Sequence, residues 1–214
     1  MGVGAIVRRL FGPYEHEVSG AYRAIYLDLD ALIRRFCTWK PAAARILEIG
    51  CGEGAVTERL RIAYPDADIT AIDITPRIGR LYRGSLDRVH FIQCTIQELV
   101  AREPAPYDLV LLCDVLHHVP TELRQELLNA IAATIAPRGL FVFKDWEKNN
   151  SPINVICYLS DRWLTGDHIH YMSREEIRRR LACSFGEAAM IDEARIAPWW
   201  NNIAILIAPG AKAS

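Results

Sequence analysis

Six cysteines stand at positions 37, 51, 94, 113, 157 and 183, and no two of them form a C-x-x-C pair, so no metal site is expected from them. Scattered thiols without an export signal also argue against a disulfide framework. No apolar run reaches the ~20 residues that cross a bilayer, so no membrane partner is expected. Neither sign of charge dominates: 25 basic side chains meet 26 acidic ones, for a formal net charge of -1. This balance supplies no global attraction to nucleic acid. The opening residues MGVGAI lack a signal-peptide core, and Ile6 stands where a myristoylation motif needs Ser or Thr, so a cytoplasmic location is expected. Internal repeats and low-complexity tracts are absent too.

What is present is enough apolar sequence for one sizeable core: 214 residues, 51% of them hydrophobic. Over residues 19–38, Ile25, Leu29, Leu32, Ile33 and Phe36 recur at helical spacing, predicting one amphipathic helix whose polar side, including Asp28, faces solvent. Strands are expected at 45–49, 68–73, 89–93, 108–113, 139–143, 187–192 and 202–208. Runs such as LVLLC and LFVF suit strands buried on both faces, as in a parallel sheet covered by helices. Helix starts are expected at Thr75-Pro76, at Thr121 and at the Ser173-x-x-Glu176 capping box. The predicted fold is α/β: a Rossmann-like, doubly wound, mostly parallel seven-stranded sheet with helices on both faces. The expected layout is a single domain over 1–214. It comprises an N-terminal helical cap (1–40), a cofactor-binding core (41–145), a substrate lid (146–172) and a C-terminal helix and strand pair (173–214). The lid expectation rests on the mixture of Trp146, Tyr158, Trp163 and Tyr171 with Asp145, Glu147, Asp167, His168 and His170, since long insertions in compact domains are usually functional.

The most informative segment is ARILEIGCGEG, residues 44–54, where an apolar strand runs into Gly50, Gly52 and Gly54 with Glu48 just ahead. Glycines there let the backbone turn sharply and lie against a ligand, and the next helix begins with unpaired N–H groups. Gly50-x-Gly52-x-x-Ala55 formally satisfies the dinucleotide fingerprint, with Asp73 as the following acid. Further on, YDLVLLCDVLHHVP, residues 107–120, ends a second apolar strand on Asp114, His117 and His118. A nicotinamide oxidoreductase would need a proton donor such as Tyr-x-x-x-Lys, and none follows this fourth strand.

Taken in order, E-x-G-x-G-x-G, Ile72-Asp73 and DVLHHVP resemble the class I S-adenosylmethionine-dependent methyltransferases, and the last motif resembles their small-molecule branch. The resemblance covers about residues 44–145. It implies S-adenosylmethionine as cofactor, with Asp73 accepting both ribose hydroxyls and Glu48 at the methionyl end. The backbone of Gly50, Cys51, Gly52 and Gly54 would lie against the ligand, and Ile74 and Ile96 would sandwich the adenine. Gln93, Cys94 and Thr95 would line the adenine edge, and Asp114 with Leu116 would contact the methionyl portion. The family often carries an acid at about positions 93–95, and this chain has none. Some O-methyltransferases of this kind take a base and its orienter from the loops after the fourth and fifth strands, where His117, His118 and Asp145 stand. His168 and His170 are secondary candidates, and His16 and His90 structural ones.

The expected function is methyl transfer to a small-molecule substrate, most simply at a hydroxyl oxygen. The alternative is a methyltransferase-fold protein that binds the cofactor but serves as a partner subunit or supports a non-methylating reaction. No Asn-Pro-Pro-Tyr motif of adenine- or glutamine-methylating enzymes follows the fourth strand. Oligomeric state is not legible from these residues.

Overall fold

The computed structural model describes residues 15–149, 151, 153–154 and 169–210. Seven strands form one sheet: β1 (Arg45–Ile49), β2 (Asp68–Asp73), β3 (Val89–Gln93), β4 (Tyr107–Cys113), β5 (Ile135–Trp146), β6 (Met190–Arg195) and β7 (Asn202–Ile207). Their spatial order is β3-β2-β1-β4-β5-β7-β6. The first five are mutually parallel, and β7 runs antiparallel to both β5 and β6. Order therefore reverses between β1 and β4, the switch point beyond which ligands of open α/β sheets bind.

Side-chain alternation divides the core into two layers. Leu47, Ile49, Val110, Leu112, Phe141 and Phe143 point to one face, where they meet Leu128 and Ile131 of α5 (Arg124–Ala132) and Ile177 and Leu181 of α6 (Arg174–Phe185). Ile46, Leu109, Leu111 and Val142 point to the other, against Leu32, Ile33 and Phe36 of α2 (Leu29–Trp39) and Leu60 of α3 (Ala55–Ala63). Burial on both faces explains why these strands read as continuous apolar runs.

Five local expectations need correction. The helix expected over 19–38 is two: α1 (Glu15–Tyr26) and α2, broken at Asp28. Asp28, its side chain partly exposed, does more than face solvent: its carboxylate caps α2 by accepting from Ala31 N–H at 2.8 Å, and its own N–H reaches Ala197 O at 2.8 Å. Thr75-Pro76 opens turns instead of a helix. There Gly79 adopts φ 64° and donates its N–H to Gly52 O at 2.9 Å, so its amide is committed to the glycine loop. Thr121 likewise lies in a turn, and α5 begins only at Arg124. Strand five is longer than 139–143: antiparallel pairing with β7 carries it through Asp145, opposite Ile203, and Trp146, opposite Asn202. Residues 187–189, expected to begin a strand, form a 3-10 turn, and β6 starts at Met190. Between Gln93 and β4, α4 (Ile96–Val100) is opened by a reciprocal Thr95–Glu98 capping box.

Candidate active site

The loop after β1 is built from three left-handed glycines, with φ of 75° at Gly50, 52° at Gly52 and 95° at Gly54. Side chains rarely adopt that conformation. At Gly50 space forbids one as well, because a Cβ would lie 2.2 Å from Val115 Cγ2. Gly52 is different: nothing lies within 4 Å of where its Cβ would be, so its backbone opens onto the crevice. The loop is fastened to β2 by Gly50 and Cys51 N–H groups, which both donate to Ile72 O, at 2.8 and 3.1 Å. Asp73 completes the fastening by accepting from Gly52 N–H at 2.7 Å and Thr75 N–H at 2.8 Å.

Glu48 lies beneath this loop, 3% exposed, and accepts from the Thr57 hydroxyl at 2.6 Å. Burial pushes its carboxyl up to about 7; the Thr57 hydrogen bond opposes the rise and the Asp73 charge adds to it. Cys51 and Cys94 are buried, and burial raises both thiols, so neither is a ready nucleophile. Of the residues expected around adenine, Ile74 stands 72% exposed at the end of β2, whereas Ile96 is packed in the core. Thr95 spends its hydroxyl on the α4 cap, and the Leu116 side chain also belongs to the core.

Across the switch point, Asp114 takes a left-handed conformation, φ 56°, and its N–H donates to Lys144 O at 2.9 Å. The Lys144 ammonium lies 2.6 Å from both Asp114 carboxylate oxygens. Next along β5, Asp145 reaches the histidine turn formed by Leu116–His118. Its Oδ1 pairs with His117 Nδ1 and accepts Trp146 N–H at 2.7 Å, while Oδ2 accepts His117 N–H at 3.2 Å. Both side chains are buried. Burial alone would raise Asp145, but its pairing with His117, Trp146 N–H and Lys144 together hold it below the usual carboxylate range. The structure thus brings His117 and Asp145 together, while His118 is exposed with its ring 4.1 Å from that of His117. Single ligand atoms of Asp114, His117 and Asp145 lie within 4.8 Å of one another, the one such cluster among the described residues. Lys144 already supplies a cation there.

Two buried cations escaped sequence reasoning: Lys144 and Arg124, each 1% exposed. Both had a signal. Lys144 interrupts the apolar run LFVF-K-DW, and Arg124 shares the helical stripe of Leu128 and Ile131.

Above His117, Trp146, Ile169 and Tyr171 form a small apolar cluster with Tyr26 and Ile153. Tyr171 stacks obliquely on His117 with ring centres 5.1 Å apart, and Trp146 Nε1 donates to Asn154 at 2.9 Å. Glu147 and Met172 form a parallel bridge, with Lys148 N–H donating to Met172 O at 2.9 Å. The middle of the expected lid, residues 155–168 and with it His168, lies outside the described residues.

This arrangement suits an elongated ligand laid over Gly52 between Asp73 on one side and the Asp114–His117 turn on the other. The sequence matches the model of a methyltransferase domain over residues 14–183. A ubiquinone biosynthesis O-methyltransferase of Xylella fastidiosa is 35% identical over 106 residues, covering 47% of this chain and 42% of that protein. An uncharacterised Synechococcus protein is 38% identical over 114 residues, covering 49% of this chain and 27% of that protein. The chain therefore spans less than half the length of these curated relatives. Among solved structures, the 1,6-didemethyltoxoflavin-N1-methyltransferase of Burkholderia thailandensis, bound to 1,6-didemethyltoxoflavin and S-adenosylhomocysteine, superposes with a TM-score of 0.66. It has 19% identity, and the match covers 96% of this chain and 88% of that one. The N-methyltransferase NodS of Bradyrhizobium japonicum, in complex with S-adenosylhomocysteine, gives 0.60 at 20% identity, covering 83% of each chain. With the family model spanning most of the chain and the reversal of strand order falling at the glycine loop, the protein belongs to the class I S-adenosylmethionine-dependent methyltransferases.

Proposed function

We propose that the chain methylates a hydroxyl oxygen of a small-molecule acceptor, with His117 as general base and Asp145 as its orienter. When bound, S-adenosylmethionine supplies a methyl group on a positive sulfonium sulfur. Gly52, open to the crevice, leaves room for that ligand's close approach, and Asp73 faces it with lone pairs beyond the two already used by Gly52 and Thr75. Asp114 is presented from the opposite side by Lys144.

The observation that carries the reading is the buried pairing of His117 Nδ1 with Asp145. A carboxylate held ionised at Nδ1 keeps the proton on that nitrogen, which makes Nε2 the proton acceptor. In the reaction the acceptor O–H bond breaks as a bond from oxygen to the methyl carbon forms and the carbon–sulfur bond breaks. The proton passes to His117 Nε2, the sulfur keeps its bonding pair, and Asp145 stabilises the resulting imidazolium. A positioned base of this kind contributes ~10² to 10⁴-fold. The Xylella relative, whose name records an oxygen acceptor, supports the same choice.

The test is a single-turnover assay with methyl-labelled S-adenosylmethionine and matched alcohol, phenol and amine acceptors. Methylation of the hydroxyl compounds is expected, with His117→Ala slower by ~10² or more and S-adenosylhomocysteine affinity within about twofold. His118→Ala should stay near the parent. Amine methylation that survives in both histidine variants would overturn the reading and leave positioning as the catalytic device.

A further inference from the structure

We propose that Arg124 is a positioning residue that latches residues 169–172 onto the histidine turn and holds the His117 imidazole in its uncharged, proton-accepting form. The second half rests on the reading of His117 as the base.

Arg124 opens α5 and is 1% exposed. Buried guanidinium groups usually pair with carboxylates. This one is directed at main-chain carbonyls: Nε donates to Val119 O at 2.9 Å, and Nη2 reaches His170 O at 3.0 Å and, at the limit of hydrogen bonding, His117 O at 3.5 Å. His170 N–H donates back to His117 O at 3.1 Å. One side chain thus spans the middle and the exit of the turn that carries His117 and the limb beyond residue 168, which places Tyr171 against the His117 ring. Nη1 is buried without a hydrogen-bond partner among the described residues. A latch of this design costs desolvation, since burial and the nearby Arg180 depress the guanidinium while Asp145, Glu176 and Glu122 oppose that depression. An arginine so placed remains charged.

That charge bears on the base. The described titratable and charged groups around His117 are Asp145 and Lys144 on β5, Asp114 at the end of β4, the adjacent His118, His170 and Tyr171 on the returning limb, and Arg124. Asp145 and Asp114 both favour imidazolium, and Lys144, paired with Asp114, offsets one of those two charges. Arg124, directed at carbonyls and paired with no carboxylate among the described residues, adds a positive charge that disfavours imidazolium. Removing Arg124 should therefore make His117 easier to protonate, so its titration midpoint should move up.

Two measurements on the free protein test this without any acceptor. In Arg124→Met, amide exchange at residues 169–172 should rise at least tenfold relative to the sheet, because the limb loses its tie to the turn. The His117 ring, followed by NMR, should titrate about half a pH unit or more higher. Arg124→Lys should keep the parent titration yet show the faster exchange, because one ammonium cannot span carbonyls on both segments. S-adenosylhomocysteine affinity should stay within about twofold in both, as neither variant touches the glycine loop. Exchange in Arg124→Met equal to the parent overturns the latch, and an unmoved or lowered midpoint overturns the electrostatic role. Should Arg124→Met fail to fold, Arg124→Gln is read on the same two measurements. Turnover retained by His117→Ala would remove the base reading while leaving the exchange result standing, so the two failures are distinguishable.

Discussion

Lys144 and Asp114 form a bidentate ion pair in which the ammonium is buried and the carboxylate is only partly covered, with Nζ 2.6 Å from each oxygen. The pair joins the ends of the two central strands on either side of the histidine turn. Its meaning is positional. Asp114 is held in a left-handed conformation with its carboxylate fixed in one orientation, where a flexible aspartate would sample several. Lys144→Met should leave that carboxylate without its ion partner. Stability is expected to fall by about 2 kcal/mol, discounted because Asp114 is partly solvated. S-adenosylhomocysteine affinity is expected to fall about tenfold by calorimetry. An unchanged affinity in the folded variant would separate Asp114 from cofactor binding.

The first two glycines of the loop make opposite predictions. Gly50→Ala drives a methyl into Val115 and should destabilise the fold by about 2 kcal/mol or more. Val115→Ala should recover part of that loss, a result read from denaturant midpoints of the single and double variants. Gly52→Ala meets no neighbour and should cost only about 1 kcal/mol of backbone strain. Its penalty should appear in ligand binding, because the new methyl enters the crevice. A Gly52→Ala protein that binds S-adenosylhomocysteine normally would show that the ligand does not lie over this residue.

If Asp73 takes the ribose hydroxyls as proposed, Asp73→Ala should weaken S-adenosylhomocysteine by at least tenfold. It should also loosen the loop, since the same carboxylate holds Gly52 and Thr75 N–H groups. Asp73→Asn helps to separate the effects: its carbonyl can still accept one N–H, so loop exchange should worsen less than affinity. Calorimetry and amide exchange on the two variants decide it.

Glu48 predicts the direction of a pH dependence. Burial raises its carboxyl from 4.5 to about 7, so between those values the folded chain holds a proton that the unfolded chain has released. Stability from this group is therefore greatest below about pH 4.5, falls as pH rises through the window, and levels off above about 7. The full difference is on the order of 3 kcal/mol, and Glu48→Gln should remove it. Denaturant midpoints at half-unit steps from pH 5 to 8 should slope less for the variant than for the parent. Parallel slopes would mean that Glu48 is ionised in the native state.

Local pattern carried much of the architecture. β1 and β4 lie where continuous apolar runs meet turn residues, because burial on both faces writes itself into consecutive positions. Elements whose form depends on distant partners were harder to read. The break between α1 and α2 comes from a cap and an amide that reaches Ala197, and the absent helix at Thr75-Pro76 reflects an amide committed to Gly52. At the site, the motifs named both members of the His117–Asp145 pair, because each ends a recognisable strand. Lys144 and Arg124 were passed over for a common reason. Their partners are remote in sequence, or are carbonyls common to every residue, and neither kind of partner leaves a spacing to detect.

The bridge between Glu147 and Met172 brings together the two points at which the intervening chain leaves and rejoins the sheet. Loop-closure entropy grows only slowly with length, so an insertion with adjoining ends can vary in size and composition at small cost to the scaffold. Asp145, two residues before the exit, stays pinned opposite Ile203 whatever that chain becomes. On the proposed reading of His117 as base and of the insertion as a substrate lid, an exchange of residues 149–168 between family members would be expected to alter selectivity while leaving the His117–Asp145 pair and the Arg124-held limb in place.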